Sequence, residues 1–106
     1  MDILFIRSKI KKEEYDLSAH AHQERQEEQI TIEEIEKILL KGDIIEMYSN
    51  DPRGKSCLVA GKDADVSLHV VCGMRGNRLL IVTVYRPKKP TWINYKTRAK
   101  EVKSRV

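Results

Sequence analysis

The sequence predicts an α+β domain whose N-terminal helices pack on one face of a four-stranded antiparallel sheet. Three observations predict it. Up to Lys41, apolar residues recur at helical spacing in residues 2–12 and 32–41, and Ser18 and Thr31 are good N-cap residues. From Asp43 onward, short runs rich in Val, Ile and Leu are bounded by Gly, Asn, Asp and Pro, as strands are. The connections between those runs are turn-length, which joins neighbouring strands antiparallel and leaves the helices to one face. A chain of 106 residues fits one domain with a modest core. The domain is expected to span residues 1–95, followed by a basic tail, residues 96–106.

The first element is a short helix over residues 2–12, with Ile3, Ile6 and Ile10 on one stripe. Asp2 near its start and Lys11 and Lys12 near its end suit the helix dipole. Tyr15-Asp16-Leu17 reads as an extended link. Ser18 is an N-cap for a helix over Ala19–Gln29, which holds almost nothing large and apolar. Such a helix gains little from burying a stripe, so a surface position over the sheet is expected. Thr31 with Glu34 makes a capping box, and Ile30 with Ile35 a hydrophobic staple. That helix runs to about Lys41 and stops at Gly42, a natural C′ residue.

Strands follow over Asp43–Tyr48 and Lys55–Gly61, separated by the turn Asn50-Asp51-Pro52-Arg53-Gly54. A hairpin of Val66–Gly73 and Arg78–Arg86 closes the sheet, and Pro87 and Pro90 stop its last strand. Centring that hairpin so that His69 faces Thr83 puts Leu68, Val70, Cys72, Leu80, Val82 and Val84 on an apolar core face. The other face then carries Ser67, His69, Val71, Ile81, Thr83 and Tyr85. A slip of one residue would exchange the faces of one strand. Cys57 and Cys72 fall on adjacent strands, on opposite faces, as small core residues.

Composition excludes several classes. The apolar fraction is 41% and the charged fraction 34%, as in soluble proteins, and no apolar run nears the ~18 residues that cross a membrane. Met1–Ile6 lacks the pattern of a signal peptide. Two widely separated cysteines give no disulfide framework and no structural zinc, so a reduced, cytoplasmic setting is expected. No cofactor is implied: there is no Gly-rich phosphate loop, no G-x-S-x-G and no H-E-x-x-H. Residues 1–51 hold 7 Lys/Arg against 13 Asp/Glu, and residues 52–106 hold 13 against 3, so the halves carry −6 and +10. A basic half suits an anionic partner such as nucleic acid.

Chemistry is expected at two polar clusters. His20, early in its helix, can serve as a general base, with Glu24 four residues on. His69, Thr83 and Tyr85 form the other cluster on the sheet. Two histidines, or a histidine and a tyrosine, can divide the base and acid roles in cleaving RNA through its 2′-OH without metal. Arg25, Arg53, Lys55 or Arg86 would then balance the phosphate charge. A metal site is not expected, because His20 and His22 lie about 200° apart on a helix. Trp92 and Tyr95, with the basic tail, form a further surface on which single-stranded bases can stack.

The pieces Ser18-Ala19-His20-Ala21, Ile30-Thr31, Gly42-Asp43-Ile44-Ile45-Glu46 and Tyr48 occur in order along the chain. They continue through Asp51-Pro52-Arg53-Gly54, Ser56-Cys57-Leu58-Val59, Gly61, Leu68-His69-Val70-Val71, Thr83-Val84-Tyr85, Pro87 and Trp92. Together they resemble the bacterial "domain of unknown function 4258" family over about Ser18 to Trp92. Where that family commonly has Asp-Gly before the Ile, this chain has Glu28-Gln29; where it has Pro before Leu-His, this chain has Ser67. The resemblance implies a RelE-like or barnase-like fold and a toxin of a bacterial toxin–antitoxin pair, a metal-independent RNA-binding or RNA-cleaving domain. On that analogy His20, His69, Thr83 and Tyr85 line the site. The partners implied are RNA, a zinc-finger type antitoxin and, in a homodimer, a second copy of the chain; no membrane is expected. The alternatives are a non-catalytic regulatory module that binds protein or nucleic acid, and a small metal-dependent hydrolase.

Overall fold

Three polar residues start the three helices. Asp2 accepts a hydrogen bond from Phe5 N at 2.8 Å and begins α1 (Ile3–Lys11). Ser18 Oγ accepts from Ala21 N at 3.0 Å and begins α2 (Ala19–Glu27). Thr31 begins α3 (Ile32–Lys41) with the expected capping box: its hydroxyl accepts from Glu34 N at 3.0 Å, and Glu34 accepts from Thr31 N at 2.9 Å. The computed structural model describes residues 1–49 and 54–88. Arg53, Trp92, Tyr95 and the tail 96–106 lie outside the described residues.

The strands are β1 (Tyr15–Leu17), β2 (Asp43–Tyr48), β3 (Ser56–Asp63), β4 (Val66–Arg75) and β5 (Arg78–Tyr85). They form one sheet in the order β1-β5-β4-β3-β2. The expected α+β class holds, but the sheet is five-stranded and mixed rather than four-stranded and antiparallel. The difference is Tyr15–Leu17, expected as a link, which runs parallel to β5 with Asp16 opposite Leu80. Three residues are too few to show a period of two. Their pairing is set from the other strand: Arg78 donates to Asp16 Oδ2 at 2.9 Å and to the Tyr15 carbonyl at 3.0 Å.

Helices α1 and α3 cover one sheet face, where Ile6, Ile10, Ile35 and Ile38 meet Val59, Val70 and Ile81. Each is buried, contributing about 1.5–3 kcal/mol relative to exposure. The close approach of α3 to β3 needs two glycines. A Cβ on Gly42 would lie 2.6 Å from the Ala60 carbonyl, and one on Gly61 2.8 Å from Ile38 Cγ2. Gly42 itself is extended (φ −77°, ψ 179°), so space, not left-handed backbone, requires a glycine there.

The last hairpin corrects the expected pairing. Its turn is the two residues Gly76-Asn77, with Arg75 opposite Arg78 and Gly76 at φ +60°, which suits a II′-type turn. That turn shifts the pairing by one residue and puts Leu79 and Ile81 in the core instead of Leu80 and Val82. A bulge between Val71 and Cys72 then adds Val82 on β5 without a partner. Beyond it the faces return to the expected sides, but His69 lies opposite Tyr85, and Thr83 opposite Val71. Cys57 and Cys72 are direct cross-strand partners in the helix-side core, not on opposite faces.

Candidate functional site

The polar helix α2 is explained by what it lies beside. β1 covers the edge of β5 only as far as Ile81. Ser18 continues that cover: its N–H donates to the Ile81 carbonyl at 2.9 Å and its hydroxyl to the Val82 carbonyl at 2.8 Å. Then α2 takes over with side chains. Glu24 Oε1 accepts from Val84 N at 3.1 Å and Glu28 Oε1 from Arg86 N at 3.3 Å. Carboxylates one turn apart thus stand in for the carbonyls of a missing strand and close an edge that would otherwise be open. Ala21 is the one buried residue of the helix and permits the approach.

The second oxygen of Glu24 reaches outward. Oε2 lies 3.2 Å from His20 Nε2, a pair at i and i+4. The His20 side chain is 66% exposed and that of Glu24 21%. An accessible imidazole is therefore oriented by a carboxylate that is itself fixed to the sheet. With Nε2–H given to Glu24, the lone pair of the ring lies on Nδ1.

The sheet cluster is arranged differently. His69 is fully buried, with Nδ1 3.1 Å from the Tyr85 hydroxyl and the two rings edge-on at 5.2 Å between centroids. Thr83, expected opposite His69, lies opposite Val71 and lines a groove on the sheet face away from α1 and α3. The groove has a volume of about 440 Å³. Its floor is Val71, Leu80 and Val82, and Ser18, Lys55 and Arg75 stand around it. So the structure brings His20 to Glu24 and His69 to Tyr85, and it places Thr83 opposite Val71, diagonal to His69 on the same face.

The expected cations divide likewise. Arg25 donates to His22 Nδ1 and to the Ile30 carbonyl, both at 3.3 Å. Arg86 donates to the carbonyls of Glu28 and Gln29 at 3.1 and 3.3 Å, closing the end of α2. Lys55 is exposed at the groove. Arg75 and Tyr48 also line it and were not expected there. Arg75 reads in sequence as part of a hairpin turn, and no compositional signal marks the short turn that puts Val82 outward or the bulge that keeps Thr83 there. The buried thiols supply no nucleophile: burial pushes Cys57 up to about 11 and Cys72 well above its ordinary value.

No helix among the described residues is long and apolar enough to cross a membrane. Comparison with known families gives a match over residues 17–86 to a domain of unknown function (DUF4258). Comparison with curated proteins and with solved structures gives no match.

Proposed function

This chain belongs to the DUF4258 family, and we propose that in this member the exposed His20–Glu24 pair serves metal-independent cleavage of RNA. The observation that carries the reading is the fixed carboxylate: Glu24 is held by Val84 N–H and in turn holds an imidazole open to solvent. A base oriented by a third group is the arrangement that activates a hydroxyl nucleophile. The step balances without a metal. His20 Nδ1 takes the proton of a ribose 2′-OH, the 2′-oxygen bonds to the neighbouring phosphorus, and the bond from phosphorus to the 5′-oxygen breaks. The leaving 5′-oxygen takes a proton from water, and the products are a 2′,3′-cyclic phosphate and a 5′-hydroxyl. The basic second half of the chain draws the RNA in. The proposal includes a toxin-like role in the cytoplasm, restrained by an antitoxin protein.

A second reading is a binding module without chemistry. It is favoured by the commitments of the other candidates: His69 is buried against Tyr85, and Arg25 and Arg86 are bonded to main-chain carbonyls. The purified chain, incubated with RNA in excess chelator beside His20→Ala, separates the two. Cleavage by the parent and none by a folded His20→Ala supports the ribonuclease. Intact free and ribosome-bound RNA with the folded parent overturns it and leaves the binding module.

A further inference from the structure

The groove beyond Ser18 has two chemically distinct parts. Its floor, Val71, Leu80 and Val82, is apolar and half-buried. Its rim carries two exposed cations, Lys55 and Arg75. From Ser18 in its wall the nine-residue α2 sets out, directing the positive end of its dipole toward the same region. Gly73, with no side chain, keeps the middle open.

We propose that this groove binds a single-stranded segment of RNA, a base lying on the Val71–Leu80–Val82 floor and its phosphates against Lys55 and Arg75. The floor takes a flat apolar face, and the hydroxyls of Ser56 and Thr83 beside it can meet polar base edges. The rim takes the negative charge of the phosphates. A volume of about 440 Å³ admits one or two nucleotides, within the ~300–1,000 Å³ of small-ligand sites. A duplex cannot offer a base face to such a floor, because its bases are stacked and paired inward; an unpaired strand can. An acidic peptide would satisfy the cations but not a flat floor. The inference shares with the proposed function the assignment of RNA as ligand. It concerns where the strand lies, and His20, two residues past the Ser18 wall, then stands beside it.

The test is fluorescence anisotropy with a short labelled single strand carrying 2′-O-methyl riboses, which cannot be cleaved, at about 50 and about 200 mM salt. Competitors are the matching duplex and the matching DNA strand. Replacing Lys55 and Arg75 together by Gln is expected to weaken binding at least tenfold and to flatten the salt slope by about 1.4, at ~0.7 per phosphate contact on a single strand. Gly73→Leu is the second variant. A Cβ there meets only ordinary contacts, the nearest Val82 Cγ2 at 3.6 Å, so a side chain can start there and extend into the groove; with the urea midpoint retained, binding is expected to fall tenfold or more. Equal or tighter binding of the duplex, or parental affinity in both groove variants, overturns the inference. Groove-dependent binding with no cleavage of ordinary RNA upholds it and overturns the ribonuclease reading. Cleavage that the groove variants leave untouched does the reverse. Preference for the DNA strand overturns RNA as the ligand.

Discussion

Replacing Glu24 by Ala and by Gln separates the two tasks of one carboxylate. Toward the sheet, Glu24 accepts the N–H of Val84, a residue with no exposed surface. Truncation to Ala leaves that N–H without its acceptor, and a hydrogen bond to a charged acceptor contributes about 1.5–3 kcal/mol. Toward solvent, the contact with His20 adds little, because exposed ion pairs are worth about 0–1 kcal/mol. Glu24→Ala should therefore lose about 1.5–3 kcal/mol in urea unfolding at pH 7, about 6–24 °C in Tm for a domain of this size. Glu24→Gln keeps an oxygen for Val84 and should lose about 1 kcal/mol or less. It no longer offers His20 a charge, so on the proposed mechanism cleavage should fall at least tenfold while the fold survives. An alanine variant within 0.5 kcal/mol of the parent would refute the role of α2 as a cover for the β5 edge. A glutamine variant of parental activity would refute the role of Glu24 in orienting the base.

Other consequences follow from the same structure. Gln29 ends α2 in the left-handed region (φ +56°), with Ile30 N donating to the Arg25 carbonyl at 2.7 Å; this is a Schellman closure, which favours glycine. Gln29→Gly should raise stability by up to about 1 kcal/mol, the left-handed penalty less the added freedom of the unfolded chain, and a lower Tm would count against it. Gly61→Ala puts a Cβ within 2.8 Å of Ile38 Cγ2 and 3.0 Å of the Ile38 carbonyl. It should cost about 1–3 kcal/mol, and an unchanged urea midpoint would show that α3 can move away. The carboxyls of Glu14, Asp16 and Asp63 are held below their ordinary range by hydrogen bonds from Lys9, Arg78 and Lys41. Their folded values lie below the unfolded ones, so their contribution is complete above about pH 5 and is lost as pH falls through the folded values. The urea midpoint should drop between pH 5 and pH 3; a flat profile would remove these pairs from the account. Cys57 and Cys72, both buried, should resist alkylation at pH 8 in the native protein and react on unfolding; labelling of the native chain at the unfolded rate would contradict their burial.

Two helix starts were legible because each depends on one side chain reaching an amide three residues away: Ser18 and Thr31 act as read, while Asp2, read only for its charge near the dipole, caps α1 in the same way. β2 was legible for a similar reason, a run of apolar residues after a glycine. The parallel β1 was not. A parallel pair has no turn to announce it, and Tyr15-Asp16-Leu17 is too short for a periodic pattern. The odd composition of α2 was visible, but a position over the sheet was expected, and the helix lies along the edge of β5. What it does there depends on N–H groups 60 and 58 residues away, at Val84 and Arg86. In the candidate site, the His20–Glu24 pair was legible from helical spacing alone. The cluster of His69 and Tyr85 on the sheet was expected, but their direct pairing was not, because it depends on a turn length and a bulge that no residue pattern announces.

That bulge bears on both the core and the groove. With the short turn at Gly76-Asn77, unbroken pairing would place Leu79, Ile81 and Thr83 on the helix side, and Val82 and Val84 outward. A threonine would then face the core and a valine would leave it. The unpaired Val82 restores alternation beyond it, so Val84 is buried while Thr83 reaches the groove. Leu80 and Val82 face the groove because of the turn, and the bulge adds Thr83 beside them. The Val82 carbonyl accepts from the Ser18 hydroxyl, at the start of the helix that carries His20. Bulges re-aim side chains near functional surfaces. Here one extra residue reconciles a tight turn with an apolar core, brings Thr83 to the groove on the opposite face, and leaves the Val82 carbonyl to anchor α2 beside it.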